Sequence, residues 1–113
     1  MDDENEDDAA HRAWVRWMTG DTGMPVWGVA VMHDLVLTFY NEASGHERLA
    51  MVGRFPVLVE TYNVVFWVAE TFHIADPRIV SFFEQMPPEQ RAELTALRGE
   101  LERCLLRKRG INV

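Results

Sequence analysis

Across residues 55 to 73, FPVLVETYNVVFWVAETFH, the positions Leu58, Tyr62, Val65, Phe66, Ala69, Phe72 and His73 recur at i, i+4, i+7, i+8, i+11, i+14 and i+15. That is the period of one helix face. Glu60, Asn63 and Glu70 share another face, and Pro56 suits a helix start. The pattern predicts a helix over 56–73. Val57, Val64, Trp67 and Val68 extend its apolar surface around most of the circumference, which makes it the expected central helix of the fold.

The flanking segments give further helices. Ala10, Ala13, Trp14, Trp17 and Met18 have helical spacing within residues 9–18, and Gly20 is the expected stop. TGDTGMP reads as a loop, with Pro25 in the first helical position of the next element. In VWGVAVMHDLVLTFYNEASG the valines and aromatics favour strand by propensity. The polar residues Asp34, Thr38, Asn41 and Glu42, however, fall at i, i+4, i+7 and i+8, a helical stripe, with Gly45 as its expected end. The alternative is an α+β fold with a hairpin over 26–40 turning at His33 and Asp34. HERLAMVG reads as a short helix. Asp76 followed by Pro77 is an N-cap and first-turn proline, starting a helix through Met86. Pro87 and Pro88 break that helix and start the last one, where Leu94, Leu97, Leu101, Cys104 and Leu105 repeat over about two heptads. The expected fold is all-α: five or six helices packed around 56–73.

Composition changes this picture at the two ends. The formal charge is −7, but Asp2, Asp3, Glu4, Glu6, Asp7 and Asp8 supply six of the 18 acids, leaving 12 acids against 11 bases over residues 9–113. Residues 1–8, dense in like charge and without an apolar residue after Met1, are expected to form a disordered acidic tail ahead of a single helical domain, 9–113. Arg103, Arg107, Lys108 and Arg109 concentrate positive charge at the other end. So few clustered bases on an acidic chain argue against direct nucleic-acid binding. The charge-free apolar windows 22–33 and 61–69 fall short of the ~20 residues that span a bilayer, so no membrane association is expected. A single cysteine, Cys104, and no leader-like opening stretch point to the cytoplasm.

Chemistry is sparse. Glu70 and His73 form a Glu-x-x-His pair on one helix face, the spacing that dimetal carboxylate bundles use, and Glu42 with His46 forms an i, i+4 pair across an expected helix end. Together they make a composite metal or catalytic candidate. No second Glu-x-x-His accompanies them, so neither a metal nor a cofactor is expected. Cys104 lies in the leucine register and reads as a small buried hydrophobe. Ser44 and His46 flank a glycine without an identifiable third catalytic member, and GDTG lacks a phosphate-loop lysine.

Recognition suits the chain better than catalysis. Trp14 and Trp17 lie beside the acidic tail, where aromatic anchors and charge steering would act together on a basic protein partner. The tail carboxylates and these two indoles are therefore the expected partner-binding residues. The leucine repeat, Leu94, Leu97, Leu101 and Leu105, is the expected homodimer seam if the chain self-associates. Small acidic phage anti-defence proteins, anti-CRISPRs among them, are similar in size and charge. That likeness is compositional and carries over no residues. The expected function is that of a non-enzymatic interaction module, an inhibitor or regulator of a nucleic-acid-handling protein acting by occlusion or phosphate mimicry. The alternatives are the metal or enzymatic bundle and the structural oligomer.

Overall fold

The computed structural model describes residues 6–71, 73 and 76–110, with side chains at all of these except 6–8, 68 and 69. Among them are six helices and no strand: α1 (Glu6–Met18), α2 (Val26–Glu42), α3 (Gly45–Arg54), α4 (Val57–Thr71), α5 (Pro77–Glu84) and α6 (Pro88–Lys108). The fold is the all-α bundle that the polar stripes predict. No hairpin forms at 26–40, because Gly28, Val29, Met32, Val36 and Phe39 recur at helical spacing and all bury on one side of α2. Packing of that stripe outweighs the strand preference of the valines.

Local chemistry sets most helix ends. Ser44 caps α3 in a reciprocal box: its Oγ accepts from the Glu47 amide at 3.1 Å, and Glu47 Oε1 accepts from the Ser44 amide at 2.8 Å. Gly45 is thus the first residue of α3 and not the stop of α2, which ends at Glu42 with Ala43 as its C-cap. Asp76 caps α5 by accepting from the Arg78 amide at 2.8 Å, with Pro77 in the first turn. Gly20, at φ +87°, follows the end of α1, where a side chain would be strained. The start of α1 differs from expectation. The helix begins at Glu6, three residues ahead of the expected Ala9, so that Glu6, Asp7 and Asp8 fall in its first turn. Asp2, Asp3 and Glu4 lie outside the described residues.

The core is shared by several helices. α4 packs against α2, α3, α5 and α6, and α2 packs against α1, α4, α5 and α6. Val29, Met32, Val36 and Phe39 of α2 meet Leu58 and Val65 of α4 and Leu94, Leu97 and Leu101 of α6 in one continuous cluster. Each such side chain contributes about 1.5–3 kcal/mol on burial. At Gly28 a Cβ would stand 3.2 Å from the Trp14 ring, so the missing side chain lets α1 and α2 approach closely.

Candidate interaction groove

α4 buries Val57, Leu58, Thr61 and Val65, and this stripe turns the opposite one outward. Val59, Glu60, Asn63, Phe66, Trp67 and Glu70 are all exposed. Among them Trp67 is 60% exposed and Phe66 40%, unusual for aromatics in so small a fold. The helix therefore carries more apolar surface than its neighbours cover.

Neighbouring elements shape that surface into a groove. Tyr40 of α2 stacks on Tyr62 with ring centroids 4.0 Å apart, and Tyr62 stacks on Phe66 at 5.4 Å, an aromatic ladder that fixes the Phe66 ring. Arg48 of α3 lies 5.9 Å over the Tyr40 ring. Burial, then the neighbouring Tyr62, pushes the Tyr40 hydroxyl pKa up, against the opposing pull of Arg48. From α5, Arg78 Nε pairs with Asp76 Oδ1 at 3.2 Å, which brings its guanidinium to the groove edge. The Arg78 amide, and then its side chain, hold the Asp76 carboxyl below its usual range. Asn63, Val64, Phe66, Trp67 and Arg78 line an open groove of about 560 Å³. Its walls are apolar, with one amide and one guanidinium at the edges, a composition suited to binding.

The residues expected to bind a partner lie elsewhere. Trp14 and Trp17 are 1% and 0% exposed and pack edge to face at 5.2 Å inside the bundle. Trp14 Nε1 donates to Thr95 Oγ1 at 2.9 Å, and Arg98 lies 4.7 Å over the Trp14 ring. Both indoles hold α1 on the bundle, with Met18 packed beside them, and neither stands at the surface as a partner anchor would: they lie on the face of α1 that the other helices cover. Of the acidic residues, Glu6, Asp7 and Asp8 are placed by α1, and Asp2, Asp3 and Glu4 are not described.

Leu94, Leu97, Leu101 and Leu105 are buried within the chain, against α2, α4 and their neighbours, so the repeat is a core stripe and not an exposed seam. Cys104 joins them as a buried free thiol. Three cations of the basic end are answered internally: Arg103 pairs with Glu100, Lys108 Nζ meets Glu47 Oε1 at 2.9 Å, and Arg109 lies 3.9 Å from Glu42. Glu42 thus closes α2 against a cation, His46 is exposed in the first turn of α3, and Glu70 and His73 are exposed at and beyond the end of α4. Among the described residues no three His, Cys, Asp or Glu side chains gather to hold a metal. Nor is any single helix long and apolar enough to cross a membrane.

Periodicity assigns Phe66 to the core, whereas it is exposed at the groove. The signal was present in Trp67, which falls in the stripe of Glu60, Asn63 and Glu70 at i, i+3, i+7 and i+10. A large aromatic within a polar stripe marks an exposed anchor better than a tryptophan within an apolar one. No family model, no curated protein and no solved structure matches the chain.

Proposed function

We propose that the chain is a non-enzymatic protein-interaction module that regulates a nucleic-acid-handling protein by occlusion, with the α4–α5 groove as its contact surface. The observation that carries this reading is the exposure of Trp67 and Phe66 on a rigid helix at the mouth of an apolar groove. Aromatic anchors on a preformed helix present large contact area at small entropic cost, which is the usual source of interface energy. The nucleic-acid-handling character of the partner rests on the acidic balance of the chain, −7 overall, which favours a basic partner surface. Occlusion is preferred to phosphate mimicry because the contact surface is apolar at its centre. The test is capture of partners from the source cell by wild type and by Trp67→Ala, followed by mass spectrometry. The expected result is a nucleic-acid-handling protein retained by wild type and lost by the variant. Equal recovery by both proteins, or a retained partner that handles no nucleic acid, contradicts the reading.

A further inference from the structure

The partner's recognition element has a definite charge pattern. Glu60 and Glu70 stand on the same exposed face of α4 as Phe66 and Trp67, one toward each end of it. Ten residues of helix separate them, roughly 15 Å along the axis. Neither carboxylate has an ion-pair partner among the described residues, whereas Glu42, Glu47, Glu100 and Glu102 each face a cation of their own chain. The face is thus an apolar centre bracketed by two carboxylates that no cation answers among the described residues. Arg78, the cation that lines the groove among the described residues, is paired with Asp76.

This arrangement disfavours a second copy of the chain. A two-fold interface places the same patch on both sides. Antiparallel pairing of α4 about Val65 sets Glu60 against Glu70 of the other copy, and parallel pairing sets each glutamate against its own counterpart. Like charges meet in either case, at a cost to association.

Resting on the interaction reading above, we infer that the groove receives an amphipathic helical segment of another protein. Its apolar stripe seats on Phe66 and Trp67, and a Lys or Arg lies near each end, about ten residues apart, to meet Glu60 and Glu70. Helix-in-groove recognition supplies affinity through the apolar anchors, and the paired charges set orientation and association rate. Because the two carboxylates are exposed, their contribution weakens as salt rises.

The experiment selects a surface-displayed library of amphipathic helices of roughly 18 residues, about five turns, on the immobilised full-length protein. Binding of the selected helices is then measured with Trp67→Ala and with the paired changes Glu60→Gln/Glu70→Gln and Glu60→Lys/Glu70→Lys, after circular dichroism shows each variant folded. The inference expects basic residues at both ends of an apolar stripe. It also expects a loss of about thirtyfold or more with Trp67→Ala, and about tenfold slower association with the lysine pair at low salt, with the glutamine pair between. If Trp67→Ala abolishes binding while both charge variants bind as wild type, or the selected helices are neutral or acidic, the basic partner is wrong and the groove stands. If no helix is enriched, or Trp67→Ala binds as wild type, both readings fall.

Discussion

The guanidinium of Arg91 lies over the indole of Trp17, 5.1 Å from the ring centroid, and also donates to the main-chain carbonyl of Trp17. The same side chain donates to the carbonyls of Met86 at 2.9 Å and Glu84 at 2.8 Å. Arg91 of α6 thus ties down Trp17 and Glu84 at the C-terminal ends of α1 and α5, where carbonyls lack partners within their own helices, together with Met86 in the turn that follows α5. It fastens two helices to a third.

Arg91→Ala is expected to destabilise the fold by about 2 kcal/mol or more, since three carbonyls lose a charged donor. Arg91→Lys should recover little of this, because one ammonium cannot reproduce a planar fork reaching three acceptors. Urea unfolding of the two variants checks it. A lysine variant as stable as wild type would show that charge alone suffices.

Acid sensitivity is expected to concentrate at Glu47. The hydrogen bond from the Ser44 amide, and then the Lys108 ammonium, hold its carboxyl down at about 2. Lys108 is shifted up in turn, first by its bond to Glu47, so both partners agree in direction. A depressed carboxylate stabilises the fold above its unfolded value near 4.5 and loses that contribution as pH falls toward 2. Glu47→Gln keeps the capping geometry but removes the charge. The melting temperature of wild type should therefore fall more steeply than that of Glu47→Gln between those two values. Parallel pH profiles would remove Glu47 from the acid response.

Two tryptophans should separate stability from binding. Trp17→Ala, at a fully buried position, is expected to cost about 3–5 kcal/mol. Trp67→Ala, largely exposed, is expected to change stability by no more than about 0.5 kcal/mol. Denaturant unfolding of both variants checks the pair. Comparable losses would mean that Trp67 belongs to the core and that the groove is a packing feature.

The helices were legible because their polar stripes are local. Asp34, Thr38, Asn41 and Glu42 mark the outward side of α2, and Asp76 with Pro77 announces α5. The ends were less so. Gly45 read as a stop because glycine commonly follows a helix, yet Ser44 and Glu47 form a capping box that restarts the chain there. The same Ser44 that invited a nucleophile reading is spent on that cap. Which apolar faces are covered is a tertiary fact: Trp14, Trp17 and the four leucines of α6 are buried by neighbouring helices, whereas Trp67 is left 60% exposed. Periodicity gives each helix its apolar side but not the number of helices that pack against it.

The most direct test of the account is amide hydrogen–deuterium exchange of the chain alone and bound to the partner that it captures. New protection is expected to concentrate over residues 57–71 and 77–80, with α1 and the leucine stripe of α6 unchanged. Protection centred on residues 6–18 or 94–105, with α4 unaffected, would contradict it.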